Sequence, residues 1–329
     1  MTDEIETYWL GFDLGATKMM ATVFDGDYRK LGSSRRKTKS RKGSDNGMER
    51  IRETVNEALD EAGLGKKDLA GTGVGSPGPL DLESGMLPET ANLGWEDLNL
   101  KALFEDDLDC PAVIVNDVDA GVYGEYRFGA ARKARCVAGL FPGTGLGAGC
   151  VYEGEILRGR RMSCFEIGHC QVLPGGPVCG CGQRGCLETV ASRLAISAQA
   201  AAAAYRGEAP HLLKEKGLDL SRIRSKSLAS SVAAGDKAVE KIMRDAARWL
   251  GVGAGMLVSL LAPDVIVLGG GLVEAMPKLY LEEVTAAAAV STVPSLSETF
   301  EIKVSALADD ATVTGAAAWA GKIITGQAP

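Results

Sequence analysis

The sequence predicts an α/β protein built from two similar halves. Apolar, strand-like runs alternate with longer stretches of helical period, and a short glycine-bearing turn follows the first strand of each half. A third glycine turn, Gly269-Gly270-Gly271, ends a wholly apolar run. Sandwiches and helix bundles lack that alternation. The 329 residues correspond to roughly two domains of about 150 residues. A hydrophobic content of 46% lets each bury a core.

Residues 8–14 (YWLGFDL) and 18–25 (KMMATVFD) read as two strands joined by a tight turn, a hairpin. Met48, Ile51, Val55, Ala58, Leu59 and Ala62 recur at intervals of three and four and predict an amphipathic helix. A strand follows at 72–75, then a GSPGPLDLESG loop. The apolar run 112–115 is another strand, and it ends in Asn116-Asp117, where a helix over 118–127 begins. The second half repeats the scheme with a strand at 136–141, the turn GTGLG and a returning strand at 148–152. Long helices are expected at 189–205 and 237–261, a buried strand at 265–268 and a closing helix at 311–323. The boundary falls near 128–134. It gives an N-terminal domain at 1–128, with the closing segment 311–329 packing back on it, and a C-terminal domain at 129–310. Glycine turns in both halves predict a cleft between the domains in which a nucleotide lies across both.

Charge narrows the function classes. The net charge is −7, which argues against general nucleic-acid binding, since phosphate neutralisation needs clustered Lys and Arg. One basic cluster runs from Arg29 to Lys42, and without interleaved aromatics it reads as a solvated strand-and-loop face. No apolar run is long enough to span a bilayer. The acidic start, MTDEIETYWLG, differs from a secretory signal, so a cytoplasmic protein without membrane partners is expected.

Five places carry chemistry. Asp13-Leu-Gly15-Ala-Thr17-Lys18 sets a carboxylate before a turn whose amides and Thr17 hydroxyl suit phosphate oxygens, although a plain hairpin explains it equally well. Gly143-Thr144-Gly145 opens a turn richer in glycine than a hairpin requires, and Gly269 to Gly271 precede a helix start where a nucleotide fits. Asp117 stands at a strand's C-terminal end, where α/β ligand clefts open; a helix N-cap is its ordinary alternative. The most specific pattern is Glu166-Ile-Gly-His169 followed by Cys179-Gly-Cys181-Gly-Gln-Arg-Gly-Cys186-Leu-Glu188. Three thiolates and one imidazole, with glycines at 180, 182 and 185 to let the chain turn, match structural zinc; free reduced cysteines are the alternative. The remaining five of the eight cysteines are expected to fill cores. Glu166 and Glu188 then accept hydrogen bonds from substrate hydroxyls, or pair with Arg184 or Arg193.

Together DLGATK, GSPGP, ANLGW, VND, GTGLGAGCVYEGEILRG, the EIGH and CGCGQRGCLE segments and DVIVLGGGL make the chain resemble the ROK family of sugar kinases and sugar-responsive repressors. The resemblance covers nearly the whole chain. It implies two actin-like, ribonuclease H-like ATPase domains around a central cleft, and ATP-dependent phosphorylation of a hexose 6-hydroxyl, with glucose as the first expected sugar. Fructose, N-acetylmannosamine, N-acetylglucosamine and allose are the alternatives, as is a non-catalytic sugar sensor. It further implies Asp117 as the base, and Asn92, Asn116, Glu166, His169 and Glu188 on the sugar. Asp13 would orient the Mg2+ shell; Gly15, Thr17, Lys18, Gly143, Thr144 and Gly145 would hold phosphates, and Gly269, Gly270 and Gly271 the adenosine. Zn2+ would sit on His169, Cys179, Cys181 and Cys186 in the loop 166–188. A homodimer or homotetramer is implied too. The family's repressors carry an added N-terminal winged-helix domain; with a first strand beginning near Tyr8, a DNA-binding repressor is not expected. Two residues depart from the pattern: Ala16 replaces a glycine in the first loop, and Asp119 stands where Asn is common, a second carboxylate expected to raise the pKa of Asp117 if both are buried.

Overall fold

A computed structural model of the chain describes residues 6–39, 44–89 and 95–326. In chain order the strands are β1 (Tyr8–Leu14), β2 (Lys18–Phe24), β3 (Lys30–Lys37), β4 (Leu69–Ser76), β5 (Met86–Glu89), β6 (Glu96–Asn99), β7 (Ala112–Asn116), β8 (Cys136–Pro142), β9 (Leu146–Tyr152), β10 (Glu155–Ile156), β11 (Val265–Leu268) and β12 (Glu301–Val304). The helices are α1 (Ser44–Ala62), α2 (Leu100–Leu108), α3 (Asp117–Arg127), α4 (Glu188–Ala191), α5 (Arg193–Tyr205), α6 (Pro210–Lys216), α7 (Ser225–Ala233), α8 (Lys237–Leu261), α9 (Gly271–Ala275), α10 (Pro277–Ser291) and α11 (Ala311–Thr325).

Two five-stranded sheets have the same plan, β3-β2-β1-β4-β7 and β10-β9-β8-β11-β12. In the first, β1 runs antiparallel to β2 and parallel to β4, which is parallel to β7. In the second, β11 is parallel to β8 and β12, and β10 is antiparallel to β9.

The chain divides into two compact units. Unit 1 comprises Met1–Lys133, Cys150–Cys164 and Asp309–Pro329, and unit 2 comprises Ala134–Gly149 and Phe165–Ala308. Residues 150–164, assigned from sequence to the C-terminal domain, group with unit 1 although β9 and β10 pair within the second sheet, so the division runs through β9 rather than at a single boundary. The reason is local: the ladder of Leu82 N–H to the Arg161 carbonyl and the Lys322 bond to the Gly154 carbonyl tie this segment into unit 1.

In unit 1 the sheet is covered by α1 on one side and α11 on the other. A side chain on Gly73 of β4 would lie 1.9 Å from the Ala316 carbonyl, so helix and strand backbones touch. Alanines at 316, 317, 318 and 320 keep that approach open, and Trp319 and Tyr123 fill the space behind it, edge to face at 5.1 Å. In unit 2 the core runs from Leu140 and Leu268 to one flank of α8, where Met243, Ala247, Leu250, Ala254 and Val258 are buried.

The basic stretch is an ordered edge strand. On β3 and beside it, Arg36 reaches Glu53 and Glu57 on α1, and Arg35 and Lys30 pair with Asp309 and Asp310. Arg41 and Lys42 lie outside the described residues.

Candidate active site

In unit 1 the β1–β2 hairpin carries Gly15, Ala16 and Thr17 at its turn. Thr38 clamps this turn from beyond β3: its hydroxyl donates to the Gly15 carbonyl at 2.5 Å and its N–H to the Thr17 carbonyl at 3.0 Å. Ala16 causes no break in the hairpin, whose pairing runs from Trp9 and Phe24 to Leu14 and Met19. Lys18, the first residue of β2, donates to Asp309 at 2.8 Å.

Asp13 ends β1 beside the turn. Burial, and then the Asp117 carboxylate, lift its pKa to about 7, against the opposing pull of Lys18 and Arg35. Asp117 thus acts electrostatically on a second carboxylate that the sequence did not pair with it, Asp13. Asp119 is buried and accepts from the Ser163 hydroxyl at 2.6 Å.

The helix α3 is capped by Asn116, whose Oδ1 accepts from the N–H groups of Val118 at 3.0 Å and Asp119 at 3.2 Å. Asp117 is the first helical residue rather than the cap. Its carboxylate lies at the positive end of the helix and accepts from Val118 N–H at 2.9 Å. Because Oδ1 of Asn116 serves the helix, the amide nitrogen is the group Asn116 offers a ligand. Asn92 lies outside the described residues.

In unit 2 the turn between β8 and β9 is closed by Gly143 N–H bonding to the Gly145 carbonyl at 2.9 Å. The start of α5 docks on it: Arg193 N–H donates to the Gly143 carbonyl, and the Arg193 guanidinium donates to Thr144 Oγ1 at 2.8 Å. Burial and the neighbouring Arg224 hold the Arg193 pKa below its usual value. Arg193 and Arg184 thus do not pair with Glu166 or Glu188. Arg184 instead donates to the Gly176 carbonyl.

Glu188 begins α4 and joins the turn to the cysteine segment. One carboxylate oxygen accepts from Leu146 N–H at 2.9 Å, and the other lies 3.5 Å from Cys179 Sγ. A side chain on Gly145 would meet Glu188 Oε2 at 2.3 Å, so glycine there lets the Glu188 carboxylate keep its place. Near the third turn, the ring of Phe141 occupies the space a side chain on Gly269 would take, and Gly270 has φ +84°. Gly271 opens α9 beside Ser225.

The ligand atoms of His169, Cys179, Cys181 and Cys186 all lie within 4.8 Å of one another. Tetrahedral zinc, with Zn–S about 2.3 Å and Zn–N about 2.0 Å, demands S···S near about 3.8 Å and S···N near about 3.5 Å. Cys181 and Cys186 are 3.8 Å apart, and Cys179 lies 3.5 Å from His169 Nδ1. The donor set fits zinc. Burial pushes Cys179 up to about 12, while the Gln183 N–H draws Cys181 down. Gly182 and Gly185 adopt φ +87° and +71°, whereas Gly180 needs no such conformation. Among the other cysteines, Cys110, Cys136 and Cys150 are core residues, but Cys170 is exposed and Cys164 only half-buried, because both sit on loops flanking the Glu166 turn. Glu166 Oε2 lies 4.0 Å from His169 Nε2, on the ring edge opposite Cys179.

The ROK family pattern matches residues 9–323. The chain belongs to the ROK family. It is 33% identical to a glucokinase of Halalkalibacterium halodurans over 80% of this chain and 81% of that one. Among solved ROK structures, a Streptomyces griseus glucokinase in complex with glucose and AMPPNP matches at TM-score 0.83 and 30% identity, covering 96% of this chain and 99% of that one. A Thermus thermophilus ROK hexokinase matches at TM-score 0.80 and 32% identity, covering 97% and 100%. The two sheets of like order are accordingly the two actin-like ATPase-type domains of the ROK fold. Sequence reasoning missed Asp309 and Arg35: Asp309 lies between Lys18 and Arg35 and pairs with both. Their signal, an acidic pair ahead of the closing helix and a basic strand, was present but without any hint that the two meet. No helix among the described residues is long and apolar enough to cross a membrane.

Proposed function

We propose that the chain is an ATP-dependent hexose kinase that phosphorylates the 6-hydroxyl of glucose. The observation that carries this reading is the placement of two coupled carboxylates, Asp13 and Asp117, beside the first glycine turn in unit 1. It is supported by the identity with glucokinases over most of the chain.

Asp117, at the head of α3, takes the proton of the attacking hydroxyl. The position suits this work because the helix terminus stabilises the charged base before the proton arrives. Asn92, the Asn116 amide, Glu166, His169 and Glu188 hold the remaining hydroxyls. Thr17 and Lys18 with Gly15, and Thr144 with Gly143 and Gly145, hold the phosphates; Gly269 to Gly271 receive the adenosine. Transfer of this kind is governed by positioning and electrostatic support of the phosphoryl oxygens. Mg2+, held through Asp13, supplies charge neutralisation at the phosphates. His169, Cys179, Cys181 and Cys186 hold zinc, which fixes the turn carrying Glu166 and the start of α4 carrying Glu188. Assembly as a homodimer or homotetramer and a cytoplasmic place in glycolysis complete the reading.

A panel of hexoses with ATP, followed by coupled ADP release, tests it. ADP release with glucose above all other sugars is the expected result. Faster turnover of N-acetylmannosamine would move the preference to a 2-acetamido sugar, and no release with any hexose would leave a sugar-binding sensor in its place.

A further inference from the structure

Lys18 is the first residue after the glycine turn, and its side chain is about half exposed. It is nonetheless held. Its ammonium donates to Asp309 Oδ1 at 2.8 Å, and Asp309 Oδ2 takes the Arg35 guanidinium of β3 at 2.5 Å. Three segments far apart in sequence therefore meet on one carboxylate: the phosphate turn, the edge strand and the short turn Ala308–Asp310 that precedes α11. Ala308, just before Asp309, adopts φ +48°, a left-handed backbone uncommon for a residue with a side chain. Burial raises the Asp309 pKa, but hydrogen bonds from Lys18 and Arg35 more than offset this, and it stays charged.

Exposed ion pairs add little to fold stability, so stability does not explain why two cations share this acid. Geometry does. One carboxylate holds both cations beside the turn, where they offset the negative charge gathered at Asp13 and Asp117. Lysine uses one of three donors and arginine one of five, so most of their hydrogen-bonding capacity still faces outward. A long side chain already confined also loses less rotamer freedom when it grips a ligand.

We propose that Asp309 is a positioning residue of the first phosphate loop, holding Lys18 and Arg35 beside the turn for the nucleotide's phosphates. The proposal rests on the ATP reading of that loop and adds to it a residue that touches no substrate.

The test measures KM for ATP and for glucose separately, with the melting temperature, in Asp309→Ala, Asp309→Asn, Lys18→Ala and the Lys18→Ala/Asp309→Ala double variant. Asp309→Ala is expected to raise KM for ATP about three- to fivefold, the upper range for an exposed charge pair, with KM for glucose and the melting temperature unchanged. Asp309→Asn, which keeps an acceptor, should fall between. In the double variant, removing Asp309 should cost less than it does in the parent, because the part that acts through Lys18 is already lost and only the Arg35 part remains. An unchanged or lowered KM for ATP in Asp309→Ala, beside a raised one in Lys18→Ala, overturns the proposal; a lowered value would make Asp309 a competitor for the lysine. Equal rises in both KM values with a lower melting temperature would reduce Asp309 to a structural role. If Lys18→Ala itself leaves KM for ATP unchanged, the ATP reading of the loop fails and takes this proposal with it.

Discussion

Asp13 is held in the fold at an energetic cost, and Asp13→Asn measures that cost. A free aspartyl carboxyl titrates near 3.8, and here burial and Asp117 raise it to about 7. For a carboxyl raised in the folded state, the native protein binds the proton more tightly than the unfolded chain. Stability is therefore greatest at low pH and falls as pH climbs from 3.8 to about 7. At 1.36 kcal/mol per pKa unit, the ceiling is ~4 kcal/mol once the group is fully charged. Adjustment of Lys18 toward the charged carboxylate brings the expected value to ~1–3 kcal/mol. Asparagine has the same shape and no charge, so the advantage of Asp13→Asn over the parent should grow from pH 5, where about a third of the loss has already occurred, to its full value at pH 8.5. Urea unfolding at both pH values, with no nucleotide or divalent ion added, reads the difference directly. Kinase turnover should fall in the same variant, a gain in stability at the expense of activity. If the two proteins differ by the same amount at pH 5 and pH 8.5, the carboxyl is not carrying the charge penalty and the coupling to Asp117 is wrong.

Three further outcomes are expected. Asp117→Asn should keep sugar binding while lowering turnover by roughly 10²–10⁴, the contribution of a general base; near-parental turnover would leave Asp117 a helix residue only. Cys181→Ala should lose one zinc per chain by elemental analysis and most kinase activity while circular dichroism retains much of the fold, since unit 2 has a core of its own; full unfolding would make the ion a requirement of the fold. Gly145→Ala should displace the Glu188 carboxylate, whose oxygen lies 2.3 Å from the added methyl, and lower kcat/KM at least tenfold at little cost in melting temperature, whereas parental kinetics would show that the Glu188 carboxylate has no part in the site.

Much of this architecture is legible in the chain because local chemistry dictates it. The helix over 237–261 and the strand over 265–268 match the observed α8 and β11, since a sustained period of 3.6 and a bounded apolar run leave few alternatives. The expected helix at 189–205 is broken by an extended Ser192, which caps α5 through its hydroxyl and turns Arg193 onto the second glycine loop. That break serves a tertiary contact, and its local mark is a single serine, a residue that caps helices but also occurs within them. Short edge elements are silent for a related reason: β12 is only Glu301–Val304, too brief for an alternation to register. In the site, the Cys and His cluster is readable because its ligands lie close in sequence and glycine marks two of its turns. The coupling of Asp13 with Asp117, the Asp309 bridge and the use of Asn116 as a cap all join distant segments or depend on side-chain direction, which periodicity does not encode.

The way α11 completes the first sheet has a consequence for biosynthesis. Unit 1 draws on three stretches of chain, and the last of them supplies the face that buries Gly11 and Gly73 against Val313 and Ala316. A ribosome that has made β1 through α3 has produced a sheet with one side still bare. At 5–20 residues per second, that surface waits on the order of ten seconds or more for its cover. Most of unit 2, the uninterrupted stretch Phe165–Ala308, emerges meanwhile and can fold ahead of it. The N-terminal half is thus made first and finished last, and it is the half that nascent-chain chaperones must protect.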